Sequence, residues 1–278
     1  MSLMVSRKHG GFGAEVRLSG AKANLLSREQ TEIRAAFISH QVLCLTGLDL
    51  EPEDFLSLAG VFGVPQRQLL SAYHVEGLPE ISVISNFNHI GGQKPHVRAT
   101  YWHTDDSYFA VPAMATMLHA RALPSTGGDT GFIDCHAVLE AMPAALRRRI
   151  EGRHAVHKYQ SRRAQAKVAA RNADELAQTP DVAHPLVRTH PETGRKSLYI
   201  NPNRIDHVRG LNDKQSDALL DELYAFAFQE RFQQRHKWRL GDVLIWDNRC
   251  TMHRATTDFD ITERREFHRI LLEGTTPE

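Results

Sequence analysis

Trp102-His103-Thr104-Asp105 sets an imidazole and a carboxylate two residues apart, so on an extended segment both side chains leave the backbone on the same face. A neutral imidazole beside a carboxylate can hold a divalent metal. The motif is short, and with 16 histidines in the chain roughly one H-x-D is expected by chance, so further residues must support it. One candidate lies far along the chain, where the apolar run Val243-Leu244-Ile245-Trp246 gives way to Asp247-Asn248-Arg249-Cys250-Thr251-Met252-His253. Strands distant in sequence converge at the mouth of a barrel, which is how a third ligand can reach the first two. The plainer alternative is that His253 caps a strand end. Beyond it, Arg265, Phe267 and Arg269 share one parity in Arg264-Arg265-Glu266-Phe267-His268-Arg269. Two inward guanidinium groups are costly to bury unless a carboxylate meets them, which points to a bound anion or dicarboxylate. A solvated surface run is the alternative, above all for Arg264.

Elements that can position these residues follow from the periodicity. Residues 26–38 carry apolar Leu26, Ile33, Phe37 and Ile38 at helical spacing with Ser27 as the expected N-cap, and residues 53–61 form a second helical pattern around Phe55, Leu58 and Ala59. Strand-like pieces fall at 42–45, 81–84, 115–120, 130–134, 187–189, 197–200, 243–246 and 267–272. They are short and separated by turn signals such as Pro-Ser-Thr-Gly-Gly-Asp, which favours a closed or sandwiched β core over a doubly wound parallel sheet. Helical patterns at 136–150 and 214–229 should pack outside that core. Residues 86–100 are polar, Gly- and Pro-bearing loop chemistry, and residues 162–177 read as a helical insert or lid, so the stretches near 86–100 and 160–180 are expected to be mobile. No repeat or low-complexity tract breaks the chain, so one domain over residues 4–278 is expected, with Met1-Ser2-Leu3 ahead of Met4 read as an expression scar.

Composition narrows the partners. With 34 Lys and Arg against 33 Asp and Glu the formal charge is +1, so no basic surplus argues for nucleic acid or an anionic membrane. At 278 residues and 41% hydrophobic the chain can bury a sizeable core. Cys44, Cys135 and Cys250 lie far apart and are odd in number, unlike a disulfide framework. The start, MSLMVSRKHGGFG, has no apolar run of signal-peptide length, and a soluble, cytoplasmic protein is expected.

Five motifs appear in order: W-H-T-D; P-S-T-G-G-D-T; H-P-L-V-R-T-H-P-E-T-G-R-K-S-L; G-D-V-L-I-W-D-N-R-C-T-M-H-R-A; and R-R-E-F-H-R. From about residue 14 to 273 the chain thereby resembles the taurine dioxygenase and 2,4-dichlorophenoxyacetate dioxygenase family of non-haem iron(II), 2-oxoglutarate-dependent oxygenases, and its phenoxyalkanoate side more than taurine dioxygenase itself. The resemblance implies a mainly β fold with flanking helices and a double-stranded β-helix, or jelly-roll, core. It implies that His103, Asp105 and His253 are the catalytic iron ligands, leaving one face of the metal open. Thr130 and Arg265 would bind the distal carboxylate of 2-oxoglutarate, and Arg269 would lie near the cosubstrate or an anionic substrate. The stretch from His253 to Arg265 is one residue longer than the family pattern, which keeps Arg264 as a lesser candidate for the clamp. Trp246, Asp247, Asn248 and Arg249 would form a structural shell around His253, Asp106 would support the site or be exposed, and His154, His157, His184 and His190 would serve packing or the surface.

The implied chemistry consumes 2-oxoglutarate and O2, releases succinate and CO2, and hydroxylates an unactivated carbon; a heteroatom on that carbon then leaves with C–O or C–S cleavage. Asp105 argues against halogenation, which needs a small residue there. Segment 64–70, VPQRQLL, lacks the histidine that taurine dioxygenase places there, so taurine is disfavoured. Tyr73, His74, Lys94, His96 and Arg98 are the candidates to meet a small anionic substrate of phenoxyalkanoate, sulfonate or sulfate-ester type. A homo-oligomer, dimer or tetramer, is expected by the same analogy. Two alternatives stand beside this reading: a barrel that binds metal and 2-oxoglutarate without turnover, and a metal hydrolase that needs no oxygen.

Overall fold

The strand-like segments pair into two facing sheets. In a computed structural model, which describes residues 4–7, 12–18, 25–87, 95–164 and 171–278, eight strands frame the interior: β1 (Val42–Thr46), β2 (Leu78–Ser85), β3 (Ala115–Ala122), β4 (Thr130–Asp134), β5 (Gln233–His236), β6 (Val243–Asp247), β7 (Thr251–Ala255) and β8 (Glu266–Leu272). The larger sheet runs β1-β6-β3-β8-β2, every pair antiparallel, and is extended at its edges by Val5–Arg7, Ala14–Arg17, Pro65–Gln66 and His74–Val75. The smaller runs β5-β4-β7, also antiparallel. The protein is mainly β, with helices on the outside.

Side-chain parity decides which face meets which. Phe267 of β8, Leu118 and Ala120 of β3, Leu244 and Trp246 of β6 and Phe132 of β4 share one buried apolar cluster, so the two sheets close on each other through these residues. The opposite face of the larger sheet carries Leu43, Leu45, Met117, Val243, Ile245 and Ile270 against helices α1 (Ser27–His40) and α2 (Pro52–Ala59). Ile133 and Met252, on the outer face of the smaller sheet, pack with α3 (Cys135–Glu140), α4 (Ala144–Ile150) and, beyond the short α5 (Ala173–Ala177), with α6 (Asp213–Ala227). Each large apolar side chain so buried contributes about 1.5–3 kcal/mol.

Several sequence expectations need correction. Ser27 is the first residue of α1, and Leu26 is its N-cap; the Glu29 carboxylate accepts from Leu26 N at 2.9 Å, which satisfies an orphan donor without a serine cap. The single helix expected over 136–150 is two, because Pro143 has no N–H to continue the first helix and instead stands as the N-cap of the second. Among the described residues of 162–177 only Ala173–Ala177 is helical, and residues 165–170 lie outside the described residues. His253 does not cap a strand end: it sits in the middle of β7, opposite Phe132. No helix among the described residues is long and apolar enough to cross a membrane.

One buried ion cluster fixes the end of β6. Asp247 is 1% exposed and takes Arg249 Nε at 2.8 Å and Nη2 at 2.6 Å, with His190 Nε2 at 3.0 Å; Arg249 also reaches Glu192 at 2.8 Å. Burial alone would raise the Asp247 carboxyl, but Arg249 and His190 outweigh it and hold it well below the usual range. The group therefore stabilises the fold above the unfolded-state pKa of about 4, and that stability is lost as pH falls through the lower folded value. Asp247→Asn is expected to cost about 3–5 kcal/mol at neutral pH, because Arg249 is left buried and under-paired. Urea unfolding of the two proteins reads this directly; a difference below about 1 kcal/mol, the range of exposed pairs, would show the cluster to be energetically idle.

Candidate active site

His103 reaches the interior through an isolated antiparallel bridge to β7: His103 N donates to His253 O at 3.0 Å and His253 N to His103 O at 2.7 Å. The two imidazole rings consequently lie 4.1 Å apart, centroid to centroid. Asp105, two residues on, faces both. His103 Nε2 is 3.6 Å from Asp105 Oδ1, and His253 Nε2 is 3.6 Å from Oδ2, too long for hydrogen bonds. His103 Nδ1 donates to the Tyr101 carbonyl at 2.9 Å, which leaves Nε2 with its lone pair toward the carboxylate. Burial pulls the His253 imidazole down to about 3, so it is neutral and able to ligate. The Asp105 carboxyl is raised by burial but lowered further by the two imidazoles whenever they are charged and by Arg269, and is ionised.

Supporting hydrogen bonds aim the carboxylate. Thr116 Oγ1 donates to Asp105 Oδ2 at 2.6 Å and accepts from Asn248 Nδ2 at 2.8 Å, while Asn248 Oδ1 accepts from Trp246 Nε1 at 3.1 Å. Thr104 Oγ1 donates to the Asn248 carbonyl at 2.8 Å, and Asn201 Nδ2 donates to the Thr104 carbonyl at 2.8 Å. The Trp246 ring lies 4.5 Å from that of His253. Thr116 and Asn201 were not legible as site residues in the sequence; Thr116 lies on the inward parity of β3, the one available signal.

Two other clusters of possible ligands occur among the described residues, and in each the carboxylate already has cationic partners. In His190–Asp247–Cys250 it is closed by Arg249, and in Cys44–His236–Asp242 Asp242 meets Arg239 at 3.4 Å.

The arginines behave differently from one another. Arg264 is 63% exposed and pairs with Glu266 at 2.6 Å, so the surface reading holds for it. Arg265 is 6% exposed; its backbone N donates to Asn86 Oδ1 at 2.8 Å, its Nε to the Gly128 carbonyl at 2.7 Å, and its guanidinium lies 4.5 Å from the Phe267 ring. Gly128, at φ +67°, is needed there, since a Cβ would stand 3.2 Å from Arg265 Cδ. No carboxylate pairs with Arg265 among the described residues, and the remaining segments contain no Asp or Glu at all. Burial, only partly offset by Asp129, pulls its pKa down to about 10. Thr130 is buried on β4, its Oγ1 accepting from Trp238 Nε1 at 3.0 Å, and Trp238 packs 4.6 Å from Phe267.

Arg269 is half-buried and donates through Nη2 to Gln68 Oε1 at 3.1 Å. Asp106, at φ +56°, is not exposed: it accepts from Tyr108 Oη at 3.0 Å and Gln66 Nε2 at 2.9 Å, and burial with Asp105 raises its carboxyl. Among the substrate candidates, His74 Nε2 donates to the Gln68 carbonyl at 2.9 Å, one link from Arg269. Arg98 Nη2 donates to Tyr73 Oη at 2.5 Å and its Nε to His96 Nε2 at 3.3 Å. Lys94 lies outside the described residues.

Comparison with known proteins bears on this geometry. The family model for the taurine catabolism dioxygenase TauD, TfdA family matches residues 6–271. The chain belongs to this family. Among TauD, TfdA relatives it is 33% identical to the alpha-ketoglutarate-dependent 2,4-dichlorophenoxyacetate dioxygenase of Cupriavidus pinatubonensis, over 97% of each chain. It is 33% identical to the (S)-phenoxypropionate/alpha-ketoglutarate-dioxygenase of Sphingobium herbicidovorans, over 91% of this chain and 89% of that one. The crystal structure of AAD-2 in complex with Mn(II) and N-oxalylglycine superposes with a TM-score of 0.82 at 28% identity, covering 100% of this chain and 99% of that one. As a TauD, TfdA family member the chain is a 2-oxoglutarate-dependent dioxygenase in class. The residues present fit what that class binds: two imidazole nitrogens and a carboxylate suit a divalent iron, and a buried guanidinium without a counter-ion suits the far carboxylate of 2-oxoglutarate.

Proposed function

We propose that the chain is a cytoplasmic Fe(II)- and 2-oxoglutarate-dependent dioxygenase in which His103, Asp105 and His253 hold the metal and a small anionic organic compound of phenoxyalkanoate, sulfonate or sulfate-ester type is hydroxylated. The two facing sheets are the double-stranded β-helix of a single domain over residues 4–278, and a dimer or tetramer is the expected assembly. The observation that carries the reading is Arg265, a buried cation with no acid to pair with, in contact with the same inner cluster that packs Trp246 against His253. A binding barrel for a neutral ligand would have no reason to bury that charge.

When bound, iron and 2-oxoglutarate supply the oxygen activation that ends in succinate, CO2 and a hydroxylated substrate. The protein's own groups do the positioning. Arg265, steered by Gly128 and Phe267, forms a charge-assisted bond to the distal carboxylate of 2-oxoglutarate with Thr130 beside it. Thr116 holds one oxygen of Asp105, and Tyr101 sets the tautomer of His103. Arg269, braced by Gln68, meets the acidic group of the substrate. The chlorophenoxyacetate and phenoxypropionate activities named for the two relatives support a substrate of that type.

The test is succinate formation in the presence of Fe(II) and 2-oxoglutarate, with and without O2, across aryloxyalkanoates, alkyl sulfates and sulfonates. The expected outcome is succinate that requires oxygen and rises severalfold with at least one member of the panel. Metal and 2-oxoglutarate binding with no oxygen-dependent succinate would establish the non-catalytic barrel instead, and turnover without oxygen the hydrolase.

A further inference from the structure

One tyrosine ring beyond Asp106 stands another cation that the metal and 2-oxoglutarate sites do not use. Arg204 lies in the turn that follows strand Lys196–Leu198, and its guanidinium sits 4.7 Å from the Tyr108 ring and 4.9 Å from the Tyr159 ring. Those rings meet edge to face at 5.0 Å, so the guanidinium is held against two aromatic walls, and its Nη1 donates to the Tyr159 carbonyl. Arg171 lies against Tyr159 as well, at 4.1 Å. No acid pairs with Arg204 among the described residues, and the segments outside them carry no Asp or Glu.

The position ties this cation to the chemistry. Tyr108 Oη donates to Asp106 Oδ1 at 3.0 Å, and Asp106 adjoins the ligand Asp105. Tyr101, whose ring lies 5.7 Å from that of His103, also feels the Arg204 charge, and its hydroxyl has no hydrogen-bond partner among the described residues. Both Asp106 oxygens accept from neutral donors, Tyr108 and Gln66, so Asp106 is engaged by its own neighbours and not by Arg204. A tyrosine ring thus spaces Arg204 from Asp106. Guanidinium groups that stack on aromatic rings and keep N–H donors free recognise planar oxyanions.

We infer that Arg204 is a specificity-determining residue that binds a second acidic group of the substrate, so the preferred substrate carries two anionic groups joined by an apolar or aromatic spacer about one ring long. The inference rests on the proposed reading of the site, with the first acid at Arg269 and Gln68. The spacer lies along Tyr101, whose hydroxyl adds a donor to the second acid.

The experiment compares binding of phenoxyacetate, one acid, with 3- and 4-carboxyphenoxyacetate, two acids, to the anaerobic Fe(II) and 2-oxoglutarate holoenzyme by calorimetry, the visible absorption that needs both additions being recorded in the same samples. The wild-type protein is expected to bind at least one diacid about tenfold or more tightly than the monoacid. Arg204→Gln should bring that ratio to about one, Arg204→Lys should keep most of it, and Arg269→Gln should weaken all three ligands. Absorption present with no diacid preference in the wild type, or a preference that survives Arg204→Gln, overturns the inference while leaving the proposed function standing. Absence of the absorption overturns the proposed function and this inference with it.

Discussion

Arg265→Ala is expected to raise the 2-oxoglutarate concentration needed for half-saturation about thirtyfold or more. Removing one partner of a buried, hydrogen-bonded charge pair costs about 2–5 kcal/mol, and each 1.4 kcal/mol is a factor of ten. The same substitution has a second, opposite signature. Without 2-oxoglutarate, Arg265 is a buried cation lacking a carboxylate partner, pulled down to about 10 by its surroundings, so its loss should leave the stability of the ligand-free protein unchanged or improved. Thermal unfolding with and without 2-oxoglutarate separates the two: the wild type should gain stability on adding the cosubstrate and Arg265→Ala should gain almost none. Arg265→Lys should recover only part of the gain, since a point charge replaces a planar fork held by Gly128 and Phe267. An Arg265→Ala protein still stabilised by 2-oxoglutarate as the wild type is would place the carboxylate elsewhere.

Asp105→Ala should weaken Fe(II) binding by more than about a hundredfold and abolish oxygen-dependent succinate formation. It removes the one anionic member of the set and leaves two imidazoles for a dication. Thr116→Val is the graded control. It deletes the 2.6 Å hydrogen bond that steers Asp105 Oδ2 together with the 2.8 Å bond that Thr116 accepts from Asn248, and losing a supporting contact of this kind typically costs about 10–100-fold in metal affinity or activity. Iron titration of the two variants should therefore rank wild type, then Thr116→Val, then Asp105→Ala. Full metal affinity in Asp105→Ala would remove the carboxylate from the site.

Much of this arrangement was legible in the sequence because the informative signals were local. The two-residue spacing of His103 and Asp105, and the shared parity of Arg265, Phe267 and Arg269, need only a strand geometry to become a statement about facing. Strands β1, β3, β4, β6 and β8 were readable as apolar runs, and their helix-covered or inward faces follow from alternation. What escaped depended on pairing at a distance. β5, Gln-Gln-Arg-His, has no apolar pattern and becomes a strand only because β4 offers it an edge. β7 alternates buried Thr251 and His253 with Met252 and Arg254, a mixture that reads as a strand end. Gln66 enters the site because it pairs with Leu271 of β8, and Arg204 because a turn brings it between two tyrosines more than 40 positions upstream. The family resemblance offers candidates for the metal and cosubstrate residues but gives no pointer to either.

The most direct test of the account is an anaerobic visible spectrum of the metal-free protein titrated with Fe(II) and then 2-oxoglutarate. An absorption band that requires both additions is expected, lost in Asp105→Ala and appearing in Arg265→Ala only at far higher 2-oxoglutarate. A band that forms with Fe(II) alone, or none with both under fully reducing conditions, would contradict it.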